Sequence, residues 1–335
     1  MAGVQGSPLA VAVSNAGGLG SLPCALLSPE ALRLELAAVT AGTDRPFNVN
    51  FFCHTPPPPD PQRESAWRDL LRPYYEELDV EVDAAPATGG RAPFSHDAAD
   101  VLSVFEPPVV SFHFGLPAPD LLQRVRAWGA KVLASATTVA EARWLEAHGV
   151  DAIVAQGLEA GGHRGHFLSH DLTMQAGTLA LVPQIRSAVR VPVIAAGGIA
   201  DAAGAAAAMA LGADAVQIGT AFLLCPEAAT SAVHRTLLAS DAARHTAITN
   251  VFTGRPARGI VNRMIRELGP MNPAAPPFPL ATSAMFPLRA KAEAQGLGDF
   301  SPLWAGQNAS GCKAIPAADL TRELSQLVAR GRSSA

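Results

Sequence analysis

Residues 131–157 have the sequence KVLASATTVAEARWLEAHGVDAIVAQG, and residues 192–220 have the related sequence PVIAAGGIADAAGAAAAMALGADAVQIGT. Each stretch begins with a short apolar run, continues through a turn into a helical segment, and returns after a glycine to a second apolar run. In both stretches the second run starts about 20 residues after the first, as in an internal repeat. The pattern of strand, helix and strand predicts βαβ units on a parallel sheet.

The helix inside the first stretch has typical end signals. Thr138 followed by Glu141 matches a capping box, in which a hydroxyl and a carboxylate satisfy free backbone N–H groups at the helix start. Gly149 is placed where a left-handed residue ends a helix. These signals predict a helix between the two apolar runs.

Further runs of the same kind extend the pattern towards the N-terminus. Seven runs with strand character are recognised, at residues 18–23, 46–52, 109–114, 131–136, 151–156, 192–196 and 213–218. A ladder of βα units without a break in charge or composition favours an α/β fold of the TIM-type (β/α)8 barrel class over a doubly wound sheet. After residue 218 the pattern stops, and residues from about 226 onward look like helices and loops. We therefore predict a barrel over 1–225 and a C-terminal helical and loop lobe over 226–335, the two forming a single functional unit.

Composition excludes several classes of protein. The chain has 335 residues, of which 49% are hydrophobic and 16% charged, so it can bury a large core. A formal net charge of −4 gives no general basic surface, and nucleic acid is not an expected partner. The most apolar window, 191–211, is interrupted by glycines and Asp201, so no membrane span is expected. Four cysteines without paired spacing favour a reduced, cytoplasmic protein: Cys24, Cys53, Cys225 and Cys312.

Polar and glycine residues follow the predicted strands, where a β/α barrel has its active site. The polar residues are Asn50, His113, Ser135, Gln156 and Gln217. Gly197-Gly198 and Gly219-Thr220 follow the last two strands, where barrels commonly bind phosphate through backbone N–H groups. We predict a phosphate site there; the alternative is that the glycines only close tight turns.

The segment 156–166, QGLEAGGHRGH, predicts a loop that brings backbone close to a ligand. His163 is its candidate catalytic residue, because an imidazole serves as a base or a donor near neutral pH. A metal site formed with His166 and His170 is disfavoured, since that ligand spacing needs a helix and the segment is rich in glycine. We predict no metal. Three arginines could attract an anionic substrate or remain solvated surface charges: Arg164, Arg255 and Arg258.

Eight segments in order along the chain resemble the nitronate monooxygenase family, formerly called 2-nitropropane dioxygenases, and in particular its class I. They are SNAGGLGSLP (14–23), FNVNFFCHTPP (47–57), VSFHFGLP (110–117), QGLEAGGHRG (156–165), PVIAAGGI (192–199), ADAVQIGTAFL (213–223), TGRPARGIVN (253–262) and LWAGQ (303–307). The resemblance implies an FMN-dependent barrel enzyme that oxidises alkyl nitronates, such as propionate 3-nitronate, with O₂ to a carbonyl compound plus nitrite or nitrate.

The resemblance also implies roles for particular residues. His163 would be the active-site residue, and His113 could contact the substrate or flavin, or pack behind them. FMN would be contacted by Asn50, Gln156, Gly161, Gly198, Gln217, Ile218, Gly219 and Thr220. The residue types agree, since glycine turns suit a phosphate and side-chain amides can hydrogen-bond a flavin.

Two other functions remain open from the residues. An FMN-dependent NAD(P)H reductase, of the enoyl-acyl carrier protein or quinone type, uses the same barrel and shares part of the motifs. A catalytically silent barrel that senses a phosphate ligand is the other alternative. The sequence does not indicate an oligomeric state.

The strand count predicts an unusual barrel. Eight strands close a barrel of this type, and only seven are recognised here. In the family that the chain resembles, a further strand precedes the segment that Met1, Ala2 and Gly3 begin. We therefore expect the first strand to be missing from the chain, with a gap between strand 18–23 and strand 213–218.

Overall fold

A computed structural model of the chain describes residues 3–81 and 91–332. Its ten strands are β1 (Gly20–Pro23), β2 (Phe47–Phe52), β3 (Val109–His113), β4 (Lys131–Ala136), β5 (Ala152–Gln156), β6 (Gly162–His163), β7 (Val193–Ala196), β8 (Ala215–Gln217), β9 (Thr246–Thr249) and β10 (Ala257–Ile260). Its α-helices are α1 (Ser7–Asn15), α2 (Pro29–Gly42), α3 (Pro61–Glu77), α4 (His96–Phe105), α5 (Pro119–Ala127), α6 (Val139–Ala147), α7 (Thr178–Ala188), α8 (Ala202–Ala210), α9 (Ala232–Leu238), α10 (Arg263–Leu268), α11 (Ala281–Ala294) and α12 (Ala317–Arg332).

Seven strands form one parallel sheet in the order β1-β2-β3-β4-β5-β7-β8. The sheet curls as the wall of a TIM-type β/α barrel surrounded by helices, which confirms the predicted fold class. Its strands are those predicted from the apolar runs, with ends shifted by up to two residues. Within the described residues β1 and β8 are the two edges of the sheet, so the predicted count of seven and the gap are confirmed. Met1 and Ala2 lie outside those residues.

The strand register brings polar side chains to one face of the sheet. Asn50 pairs with Ser111, Gln156 pairs with Ala196, and Ala196 pairs with Gln217. Because neighbouring residues in a parallel register point to the same side, these side chains share a face. The intermediate partners on that face are Leu133, Ala152, Val154 and Ile194. Apolar side chains on the opposite face of the sheet pack against α2 and α4 and form the main buried hydrophobic cluster with them.

The predicted start and end of α6 are confirmed, with one difference. Thr138 Oγ1 accepts from Glu141 N at 3.2 Å, and Gly149 has a φ of +79°. The Glu141 carboxylate, however, accepts from the backbone N and hydroxyl of Thr137 at 2.7 and 2.8 Å, one residue before the cap. Glu141 therefore connects the turn that follows β4 to helix α6.

The C-terminal part contains strands that the sequence analysis does not predict. β9 and β10 pair antiparallel, and β10 also pairs with the two-residue β6. These three strands form a small second sheet in the order β6-β10-β9. The expectation of only helices and loops from about residue 226 onward is therefore wrong. Short strands such as ARGI in β10 lack a β-type apolar pattern, and their pairing with distant segments stabilises them. The small sheet joins residues from both sides of position 225, so the division there stays a prediction.

None of the helices in the described part of the chain is long and apolar enough to cross a membrane. The apolar window 191–211 is divided between β7 and α8.

Gly20 is predicted to be required where α1 meets β1. A Cβ atom at this position would overlap the carbonyl oxygen of Ala10. Gly20→Ala is expected to lower the free energy of unfolding by about 3 kcal/mol through overpacking. Gly129→Ala is the control, because its Cβ would meet nothing within 4 Å and only its φ of +83° is unfavourable; it should cost about 1 kcal/mol. Urea denaturation of both variants measures the difference, and equal losses would contradict the account.

Candidate active site

His163 lies in β6 at the carboxyl end of the barrel sheet, with 9% of its surface exposed. Its ring Nε2 is 2.9 Å from the hydroxyl of Thr253. Thr253 belongs to the segment between β9 and β10, so the small sheet positions the ring from the C-terminal side. His163 is thus held between the barrel and the C-terminal part of the chain.

The backbone carbonyl of His163 accepts two side-chain hydrogen bonds from the barrel. Gln156 Nε2 donates at 3.0 Å and His113 Nε2 at 3.1 Å. Since His113 Nε2 must be a donor to a carbonyl, its Nδ1 accepts from Ser135 Oγ at 3.0 Å. Burial lowers the pKa of His113 to about 3, which agrees with this neutral tautomer. His113 therefore supports the His163 backbone.

The amide of Gln156 is also engaged at its other end. Its Oε1 accepts from Gly165 N at 2.8 Å. Both ends of this side chain therefore hold the loop between β5 and Gly165, and its predicted contact with a flavin stays a prediction.

Two buried arginines fix the same loop through its carbonyl groups. Arg164 is fully buried and donates to Gly157 O and Gln156 O, each at 2.8 Å. Arg258, 6% exposed, donates to Leu158 O at 2.8 Å. The interpretation of these two residues as solvated charges is wrong, because both side chains are buried. Their guanidinium groups supply the donors that the carbonyl oxygens of this irregular loop need. They hold the loop in place.

Four aromatic side chains surround the His163 ring and are called the aromatic wall below. The centroids of four rings lie 5.2–6.1 Å from its own, those of Phe52, Phe114, Phe278 and Trp304. Burial among them lowers the pKa of His163 well below its usual range, and the charges of Arg91 and Arg255 act in the same direction. The imidazole is therefore neutral at pH 7.

The two glycine turns differ in backbone conformation, and both lack a side chain that would block a ligand. Gly197 and Gly198 have φ values of +125° and +71°, which an L side chain rarely adopts. A Cβ at Gly219 would meet nothing within 4 Å, so the backbone there faces open space. Gln217, before this turn, is exposed on the polar face of the edge strand β8. These features fit an FMN phosphate with neighbouring amides.

A C-terminal segment, residues 303–312, connects the predicted FMN positions. Gly306 N donates to Thr220 Oγ1 at 2.9 Å, and Asn308 Nδ2 donates to Gly198 O at 3.1 Å. A Cβ at Gly161 would lie 2.5 Å from Gly306 N, so glycine is needed there for this close approach. The structure brings these predicted positions together.

Asn50 and Ile218 make other contacts. Asn50 Nδ2 donates to Ser111 Oγ at 2.8 Å on the polar face, while Ile218 packs with an apolar cluster that includes Ala221 and Leu320. Four residues of the site carry no local signal that predicts their place in it: Thr253, Phe278, Trp304 and Asn308. For two of them, Thr253 and Trp304, the segments TGRPARGIVN and LWAGQ that contain them were the available signal.

His166 and His170 do not complete a metal site. Their ring centroids are 5.5 Å apart, and no group of three or more possible ligands is found in the residues that the structure describes.

The fold and the site define a β/α-barrel enzyme with a buried histidine at the mouth of the barrel. A family model described as nitronate monooxygenase matches residues 1–326. The chain belongs to the nitronate monooxygenase family, a family of oxidoreductases.

Individual relatives agree with this assignment. The chain is 45% identical over 327 residues to a nitronate monooxygenase of Pseudomonas aeruginosa, covering 97% of this chain and 93% of that protein. It is 44% identical over 329 residues to a nitronate monooxygenase of Paraburkholderia phytofirmans, covering 97% and 89%.

Solved structures show the same fold. A nitroalkane oxidase from Streptomyces ansochromogenes superposes with a TM-score of 0.90 at 38% identity, covering 100% of this chain and 95% of that one. FabK from Thermotoga maritima superposes with a TM-score of 0.70 at 27% identity, covering 100% and 94%.

His166 predicts a pH dependence of stability. It is 1% exposed, neither ring nitrogen has a hydrogen-bond partner among the described residues, and burial lowers its pKa to about 3. The unfolded chain binds a proton near pH 6.5 and the folded chain does not, so stability is lost as the pH falls from 6.5 towards 3. One such histidine costs about 1.4 kcal/mol between pH 7.5 and 5.5.

His166→Phe should remove this share of the pH dependence. The measurement is urea denaturation of the wild-type protein and the variant at both pH values. An equal loss of stability in the two proteins would contradict the assignment.

Proposed function

We propose that this chain is an FMN-dependent nitronate monooxygenase, which oxidises alkyl nitronates such as propionate 3-nitronate with O₂ to a carbonyl compound plus nitrite or nitrate. The observation that supports it most is the neutral, aromatic-walled His163 beside glycine turns suited to a phosphate. Family membership over nearly the whole chain agrees with it.

The residues at the barrel mouth suit FMN. The turns at Gly198 and at Gly219-Thr220 would hold its phosphate, with Gln217, Ile218 and Gly161 alongside. Asn50 and Gln156 would face its ring or ribityl chain. When bound, FMN supplies the electron-accepting chemistry that no side chain of this site can provide.

His163 has a limited set of roles in such a reaction. A nitronate is already an anion, so no proton has to be removed from its carbon. A neutral imidazole has one N–H, so its Nδ1 donates to a nitronate oxygen when Thr253 Oγ1 donates to Nε2; in the other tautomer Nδ1 can accept a proton from a neutral nitroalkane. Binding by a protonated imidazole is disfavoured, because burial and the nearby arginines lower the pKa of His163.

The aromatic wall assists by keeping water away from the imidazole. Phe52, Phe114 and Phe278 form one buried cluster with Ala25. In such surroundings a hydrogen bond to an anionic oxygen is stronger than in water.

We also propose that the enzyme acts in the cytoplasm on a small-molecule substrate. The four cysteines are free, which suits a reducing compartment.

Replacing His163 tests its role. His163→Asn should retain FMN and lose turnover by about 100-fold or more, since the imidazole is removed while the phosphate turns remain. Oxygen uptake with propionate 3-nitronate and flavin absorbance per protein are the two measurements. His245→Asn, at an exposed position, is the matched control and should behave as the wild type. Normal turnover by His163→Asn would show that the assigned role is wrong.

The reductase alternative makes an opposite prediction. A reductase requires NAD(P)H to reduce its flavin, whereas a nitronate monooxygenase is reduced by its substrate. NADH mixed with the purified protein in the absence of air should leave the flavin oxidised over the turnover time. Rapid bleaching by NADH would favour the reductase.

A further inference from the structure

Two arginines flank the aromatic wall of the His163 site. The guanidinium carbon of Arg255 lies 4.0 Å from the centroid of the Phe114 ring, and that of Arg91 lies 5.9 Å from the centroid of the Phe278 ring. The Phe114 and Phe278 rings are themselves 6.1 and 5.2 Å from the His163 ring. Each guanidinium group therefore lies over an aromatic ring that is itself next to the His163 imidazole.

Within the part of the chain that the structure describes, neither arginine has an acidic partner at ion-pair distance. No ion pair found within residues 3–81 and 91–332 includes Arg91 or Arg255. Arg91 Nη1 donates to Thr282 Oγ1 at 3.1 Å, and Arg255 Nη2 donates to the carbonyl of His166. Arg255 Nε is buried without a partner in the described residues. Partly buried cations without a counter-ion are unfavourable, and an anionic ligand would relieve that cost.

Glu141 is the acidic residue whose charge acts on Arg255, and its carboxylate already accepts hydrogen bonds from other groups. Glu141 raises the pKa of Arg255, against the larger lowering by burial. Its Oε2 accepts two bonds from Thr137, and its Oε1 accepts from Phe167 N at 2.6 Å and Leu168 N at 3.3 Å. The four donors already occupy both oxygens of this carboxylate. Glu141 therefore offsets part of the Arg255 charge from a distance, but within the described residues it forms no ion pair with that guanidinium group.

We propose that Arg91 and Arg255 form an anion-binding subsite beside His163, which holds the carboxylate of a nitronate substrate that has one. The proposed subsite rests on the proposed nitronate oxidation and adds a binding site for the second charged group of the substrate. In propionate 3-nitronate two carbon atoms separate the carboxylate carbon from the nitronate nitrogen. Such a molecule would place its carboxylate at a guanidinium group and its nitronate group at the imidazole. A planar guanidinium suits a carboxylate, which it can bind with two parallel hydrogen bonds.

The first test compares two nitronates on the FMN-loaded enzyme. Propionate 3-nitronate has the carboxylate, and butyl-1-nitronate has an uncharged tail. Arg255→Met and Arg91→Met should each raise the KM for propionate 3-nitronate by about 10- to 100-fold, the worth of a charge-assisted hydrogen bond. The KM for butyl-1-nitronate should rise much less, so the ratio of the two KM values should change by about tenfold or more. Arg255→Lys keeps the charge and should recover part of the affinity.

A second test does not depend on turnover. Succinate has a planar carboxylate in place of the nitronate group, and butyrate has only one charged end. Succinate should perturb the flavin absorbance of the wild-type holoenzyme at lower concentration than butyrate does. Arg255→Met should weaken succinate binding about tenfold or more. Arg143→Met, at an exposed position on α6, is the matched control and should leave both ligands unaffected.

The outcomes separate the two proposals. If the wild-type holoenzyme oxidises neither nitronate, the proposed function is wrong. If it oxidises both, and the arginine variants raise the two KM values equally or leave both unchanged, only the subsite is overturned. Loss of FMN from the variants would also overturn it, because the arginines would then serve the flavin.

Discussion

His163 is bonded both to the barrel, through its backbone carbonyl, and to the C-terminal part of the chain, through its ring. Gln156 and His113 donate to the carbonyl from the ends of β5 and β3, while Thr253 contacts the imidazole from the other side. A buried carbonyl without donors costs about 1–3 kcal/mol, so these two donors stabilise the loop as they position it. The site depends on this arrangement, because β6 alone has only two residues.

The electrostatic character of the site follows from the same construction. Arg164 and Arg258 hold the loop carbonyls, and Arg91 and Arg255 lie beyond the aromatic wall. Burial of the ring lowers the pKa of His163, and the charges of Arg91 and Arg255 lower it further, so the imidazole is neutral at pH 7. A neutral imidazole in a positive field suits an anionic substrate, since the field attracts the anion while the imidazole needs no counter-charge.

The sequence predicts the parts of the fold that local signals determine. The seven barrel strands, the Thr138 helix start and the glycine turns at 197–198 and 219 follow from apolar runs, caps and turn residues. β6, β9 and β10 were missed because distant pairings rather than their own composition stabilise them. The same limit explains Arg164: a charge in a sequence does not reveal the carbonyl groups that will surround it. The motif gave His163 as a candidate, but its supporting partners, such as Thr253, came from the fold.

In the proposed reaction a nitronate alone delivers electrons to the flavin. The most direct measurement is anaerobic mixing of the purified, FMN-loaded protein with propionate 3-nitronate, followed by the absorbance of the oxidised flavin. The account predicts that this absorbance falls within the turnover time without NADH, and that it returns when air is admitted. A spectrum that stays unchanged with the nitronate but bleaches with NADH would contradict it.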